Sequence, residues 1–146
     1  MTDNLFLFAR IAGTPVAMPT EQIEAVVRLG EIIPVARTAP YVRGLAALRS
    51  RVLTVIDAKE RIVGSATDLE GAPLAIITEV DGHNYALLIE AVSDIAAVHG
   101  GISPLRGQVE PAWEPFVQGM IVHDEHTFLA LSTQCLARIQ PLSAAA

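Results

Sequence analysis

Apolar residues in this chain fall in short consecutive runs rather than in stripes of helical period. Residues 45–48 and 52–56 are two such runs, and the polar trio Arg49, Ser50 and Arg51 separates them. Two apolar runs around a short polar tip are the pattern of a β-hairpin. Because the apolar positions are consecutive and do not alternate, both faces of each strand are expected to meet protein. The hairpin is therefore predicted to lie inside the fold, with only its basic tip exposed.

The same reading carries along the chain. Residues 5–12 are rich in strand formers and Gly13-Thr14-Pro15 supplies a turn before the apolar run at 16–19, which predicts a first hairpin. Thr20 as an N-cap, Glu21 in the first turn, and Ile23, Val26 and Val27 at helical spacing predict one or two helical turns passing into a strand at 26–29. Pro34 and Pro40 interrupt regular structure ahead of the central hairpin. Residues 58–71 are charged and rich in small residues, a loop with room for a turn of helix, and Asp57 is placed to cap the backbone that follows it.

From Leu74 the pattern begins again. Residues 74–80 read as a strand, Asp81-Gly82 as a hairpin turn tolerant of positive φ, and 85–89 as the return strand. Ile89-Glu90-Ala91-Val92 then repeats Ile23-Glu24-Ala25-Val26, and Pro115-Phe116-Val117-Gln118-Gly119-Met120 echoes Pro40-Tyr41-Val42-Arg43-Gly44-Leu45. A polar turn at Asp124-Glu125-His126 and an apolar strand at 127–131 follow the second echo. Two echoes in the same order indicate two copies of one unit: hairpin, short helix, strand, hairpin. Gly44 and Gly119 hold the same place in both copies, so a shared backbone need is expected there, either a positive φ or another chain, that of a partner, passing too close for a Cβ.

The fold class is thus all-β with short helices. Units spanning residues 5–61 and 74–139 bury too little surface to stand alone, so they are expected to intertwine in a single domain over 1–146. Each is expected to curl into a small barrel, which limits exposed sheet edges. Residues 132–139 read as a closing helix capped by Ser132, with Cys135, Leu136 and Ile139 on one face and Pro141 as its stop; residues 143–146 read as a frayed tail.

Composition narrows the class further. Hydrophobic residues make up 51% and charged residues 18% of the chain, too apolar for disorder. No uncharged run approaches the roughly 18 residues of a membrane span. Met1-Thr2-Asp3-Asn4 offers no basic region before an apolar stretch, and the lone Cys135 excludes an internal disulfide, so a cytoplasmic location is expected. Cys135 itself is expected to be a small core hydrophobe. Residues 1–73 carry 8 basic and 8 acidic side chains against 2 and 8 in the remainder. Arg37, Arg43, Arg49, Arg51, Lys59 and Arg61 cluster around the central hairpin, a polarised surface rather than a nucleic-acid footprint.

No catalytic set emerges. Among His83, His99, His123 and His126 only the last two lie close in sequence, and they bracket a turn, so no metal site is expected. Asp57 and Glu60 read as a cap rather than an acid–base pair, and neither a Gly-x-Ser-x-Gly elbow nor a Gly-rich phosphate loop is present. The expectation is a protein that is not an enzyme and needs no cofactor. A two-lobed β protein of this kind binds other proteins through strand edges and grooves; a regulator that senses a small molecule between its lobes is the alternative.

The run Tyr41-Val42-Arg43-Gly44, Leu48-Arg49, Val52-Leu53-Thr54-Val55-Ile56-Asp57 resembles the signature of CheW, the adaptor that couples chemoreceptors to the histidine kinase CheA. The resemblance extends over about residues 5–140 and includes the opening strand pair, Ile23-Glu24-Ala25-Val26, the Asp81-Gly82 hairpin and Pro115 to Gly119. It implies two small five-stranded SH3-like barrels on a shared apolar core and no catalysis. It also implies contact with a CheA-type kinase regulatory domain and with the cytoplasmic tip of a chemoreceptor, at membrane-associated receptor arrays or in a divergent two-component pathway. Arg49 matches the arginine of the family's Asn-Leu-Arg-Gly run and Gly44 its preceding glycine. Val27, Arg28 and Leu29 fall on the strand that the family uses for kinase contact. Arg43 and Arg51 of the same hairpin complete the partner-binding set. The chain departs from the pattern at Arg28, where glutamate is common, at Ala47 for asparagine, and at Ser50 for glycine.

Overall fold

The computed structural model of the protein describes residues 4–36, 38–69 and 71–138. Arg37, Ile139, Pro141 and residues 143–146, on which parts of the reading above rest, lie outside them. The strands in chain order are β1 (Asn4–Ile11), β2 (Thr14–Pro19), β3 (Ala25–Arg28), β4 (Val42–Leu48), β5 (Arg51–Asp57), β6 (Leu74–Val80), β7 (His83–Leu88), β8 (Ala91–Val98), β9 (Val117–His123) and β10 (His126–Leu131). Two short helices accompany them, α1 (Ala58–Val63) after β5 and α2 (Thr133–Ala137) after β10. No helix among the described residues is long and apolar enough to cross a membrane.

The strands form two five-stranded sheets, ordered β8-β1-β2-β10-β9 and β3-β6-β7-β5-β4. The order is the same in both once β6 to β10 are numbered as a second β1 to β5. In each sheet the opening hairpin of one copy is flanked by the lone strand and the closing hairpin of the other. The junction between opening and closing hairpins is parallel in both sheets, Leu129 beside Val16 and Thr54 beside Tyr85, while every other strand pairing, the lone strand's included, is antiparallel. The two sheets are therefore interleaved along the chain, and neither could assemble from one copy alone.

The consecutive apolar runs have a direct cause. Side chains alternate across a strand, so Phe6 and Phe8 of β1 enter one cluster, with Ala17, Val98, Ile121 and Ala130, while Leu7, Ala9 and Ile11 enter another. Leu53, Val55, Ala75, Ile77, Ala86 and Leu88 fill the second sheet's own interior. The cluster between the sheets joins Leu7, Val16 and Met18 to Ile56, Ile76 and Leu87, with Trp113 and Leu136 beside them. Each sheet curls around its own interior and shares its other face with its neighbour, so the central strands carry apolar residues at consecutive positions. Burying each of these large side chains is worth about 1.5–3 kcal/mol, which makes the shared layer the main attachment between the lobes.

Local chemistry ends the elements. Asp57 caps α1 as expected, its carboxylate accepting from the Glu60 amide at 3.3 Å, and Gly64 closes the helix at φ 75°. Ser132 caps α2 through the Cys135 amide at 3.2 Å. Other expectations are corrected. Thr20 does not cap a helix: Thr20–Gln22 is a single 3-10 turn after Pro19, without a side-chain cap, and the chain passes from it into β3. The second copy has no such turn, since β7 runs almost directly into β8. Cys135 is exposed, because Leu136 and Ala137 take the inward face of α2. The central hairpin is buried on both faces only near its base: β4 is an edge strand, and Val52 is 64% exposed toward the tip.

Candidate functional site

The candidate residues gather on the second sheet, with β4–β5 at one edge and β3 at the other. Asp57 anchors the base of the hairpin. Its carboxylate is fully buried and accepts from the Arg43 guanidinium at 2.7 Å, the Thr67 amide at 2.8 Å, the Thr67 hydroxyl at 2.6 Å and the Glu60 amide. A buried carboxylate needs such partners, and here one side chain fixes β4, α1 and the loop beyond α1 together. Arg43 also donates to the Thr67 carbonyl at 2.9 Å, so its guanidinium is spent on the hairpin's own base.

Gly44, one residue on, is buried beneath the segment that precedes the hairpin. Its φ is 143°, and a Cβ there would overlap the Ile33 carbonyl oxygen. Ile33 and Leu45 exchange two backbone hydrogen bonds of 2.8 Å, which extends the sheet edge by one bridge. Partners across a ladder share a face, as do residues two apart on a strand. Ile33, Leu45, Ala47 and Val52 therefore line one outer face, on which Ile33 is 59% exposed. Arg49 stands at the end of this face in the turn after β4, exposed and at φ 58°.

Arg51 turns from the tip toward β3. Its guanidinium donates to both carboxylate oxygens of Glu24 and, at 3.3 Å, to the Asn84 side-chain oxygen. The Arg51 hydrogen bonds hold the Glu24 carboxyl below the usual carboxylate range, and the same bonds raise Arg51 above its ordinary value. Tip and edge strand are thereby tied. On β3, Val27 is half-buried, Leu29 just beyond the strand is 2% exposed in the sheet's interior, and Arg28 faces solvent and donates to the Ala72 carbonyl at 2.9 Å. Of that trio only Arg28 is exposed, at the rim of a cavity of about 680 Å³ that Lys59, Asp68 and Glu90 also line.

Sequence reasoning missed Glu24, Asn84 and Thr67. Each meets its partner across at least ten residues of intervening chain, and the repeat that contains Glu24 signalled only its backbone role. The two histidines that bracket the turn have other company: His123 stacks on Phe8 with ring centroids 4.5 Å apart and lies 3.3 Å from Asp94, while His126 meets the Asp124 carbonyl at 2.8 Å. Among the described residues no three His, Cys, Asp or Glu side chains converge as a metal site would need.

The sequence matches the family model of the CheW-like domain over residues 5–140. No curated protein matches it. Among solved structures it is similar to that of the scaffolding protein TtCheW from Thermoanaerobacter tengcongensis, with a TM-score of 0.79 at 21% identity, covering 92% of each chain. At that identity the likeness is one of fold: two small β-barrels side by side.

Proposed function

The chain belongs to the CheW-like domain family, whose members are scaffolds in chemotaxis signalling, and from that premise we propose that it couples a CheA-type histidine kinase to a chemoreceptor without catalysing a reaction itself. The observation that carries this reading is the outer face of the central hairpin. Ile33, Ala47 and Val52 expose apolar surface beside the basic tip at Arg49, and a rigid apolar strand face with a charged rim suits protein docking. On this reading Arg49 and the hairpin carry one partner contact, with Arg51 and Gly44 shaping the surface and Arg43 holding its base. Val27, Arg28 and Leu29 carry the other, at the opposite edge of the same sheet. Residues 1–146 act as one domain whose two repeats, 5–61 and 74–139, are exchanged between the barrels.

Reconstitution tests the proposal. Adding the purified chain to the kinase and to receptor-containing membranes from the same source should raise kinase autophosphorylation only when all three are present. Kinase activity that is indifferent to the chain would count against coupling.

A further inference from the structure

On the side where α1 and α2 meet the 3-10 turn at Glu114–Phe116 lies a second cavity, of about 530 Å³. Ile62, Pro111 and Pro115 supply apolar wall, and two arginines, Arg61 and Arg138, face into it with no carboxylate among the lining residues. The two cations differ. Arg138 lies 3.4 Å from Asp81, so its charge is already matched. The Arg61 guanidinium stands 4.3 Å from the centroid of the Tyr41 ring and 5.6 Å from that of Phe116, and donates to the Leu136 carbonyl at 2.6 Å. Among the described residues no carboxylate pairs with it. A guanidinium has five N–H donors, so the fork retains capacity for an acceptor. Burial lowers the Arg61 pKa, as expected for a cation withdrawn from water with no anion beside it.

We propose that this cavity is a binding site for a small monocarboxylate with an apolar body, its carboxylate on Arg61 and its body against Ile62, Phe116 and the two prolines. One unmatched charge calls for a monoanion, and a planar fork fits a carboxylate in bidentate fashion. Aromatic and apolar walls flank the pair and hold the organic part, and the volume falls in the range of about 300–1,000 Å³ typical of small-molecule clefts. The site shares no side chain with the hairpin face or with β3, so it stands whether or not the scaffold reading does.

The lone cysteine provides the readout, because Cys135 is exposed and lines this cavity. The probes are sodium acetate, hexanoate and 3-phenylpropionate, with 3-phenylpropanamide as the uncharged control. The rate of Cys135 alkylation by N-ethylmaleimide and the NMR resonances of Phe116 and Arg61 are followed up to about 10 mM probe, enough to detect millimolar affinity. Hexanoate and 3-phenylpropionate should slow alkylation saturably and shift those resonances, acetate less so and the amide not at all. Arg61→Gln should weaken binding roughly tenfold or more, the size expected for a lost charge-assisted pair. Should Arg61→Gln fail to fold, Ala112→Phe, which adds a large side chain to the cavity's lining, should abolish protection instead. No saturable effect from any carboxylate, equal binding of the amide, or full protection in a folded Arg61→Gln or in Ala112→Phe would overturn the proposal. Arg61 resonances that respond to an added kinase or receptor domain and to no carboxylate would overturn it too, in favour of a partner's acidic side chain.

Discussion

Gly44 and Gly119 occupy the same position in the two sheets, each at a bulge in the first strand of a closing hairpin or beside it, with a backbone carbonyl where a Cβ would stand. Gly44 faces the Ile33 carbonyl at φ 143° and Gly119 the Ser103 carbonyl at φ 156°. The next residue in each case, Leu45 or Met120, bonds to the facing segment through both its amide and its carbonyl. The positive φ anticipated for these glycines is present at both, while the close approach comes from the chain's own backbone and not from a partner. Gly44→Ala and Gly119→Ala should each destabilise the fold by about 1–3 kcal/mol, since left-handed strain and a backbone clash coincide. Urea melts of the two variants check this, and their losses should agree within about 1 kcal/mol.

This pair also shows how far the sequence could be read. The echo around Gly44 and Gly119 revealed the duplication and the backbone need, and the continuous apolar runs revealed strands covered on both faces. What local sequence could not reveal was which strands of the two intertwined units pair, because the parallel pairs Leu129–Val16 and Thr54–Tyr85 join segments far apart in the chain. The hairpin is less buried than its apolar runs predict, for a related reason. Val52 belongs to an apolar run yet is exposed, since nothing in the run itself says where the covering layer ends. At the candidate site Arg49 was legible from its polar tip. The commitments of Arg43 to Asp57 and of Arg51 to Glu24 were not, because ion pairs across strands leave no periodic trace.

Asp57 should matter more than the arginine that binds it. Asp57→Ala removes a fully buried acceptor of four hydrogen bonds and strands Arg43, at a cost of about 3–5 kcal/mol. Arg43→Ala leaves the carboxylate its Thr67 and Glu60 donors, and Arg43 is 22% exposed, so about 1–3 kcal/mol is expected. Denaturant midpoints of the two variants should rank in that order.

The Arg51–Glu24 pair should show its worth only above the acid range. The Glu24 carboxyl is held below its usual value by Arg51, so the pair's contribution is complete above about pH 4.3, the ordinary glutamate value, and disappears as pH falls through the lowered folded value. Glu24 is exposed and Arg51 partly so, so salt should also weaken the pair. The melting temperatures of the wild type and Glu24→Gln should differ near pH 7 in low salt. They should converge near about pH 2–3, and in about 1 M NaCl, where the Debye length is about 3 Å.

Arg49 carries its positive φ in a two-residue turn, a conformation that favours glycine. Arg49→Gly should therefore hold or raise stability, by up to about 1 kcal/mol, while removing the guanidinium. Thermal melts read the first effect directly.

The central claim is that this chain is a docking scaffold whose basic hairpin tip meets a partner, and it is tested most directly by titrating the purified chain, wild type and Arg49→Ala, into a CheA-type kinase regulatory domain and a receptor cytoplasmic tip. The account predicts that the wild type binds both, and that Arg49→Ala melts within about 0.5 kcal/mol of it while losing roughly tenfold or more in affinity for at least one partner. A wild-type chain that binds neither, or an Arg49→Ala variant that folds and binds as well as the wild type, would contradict it.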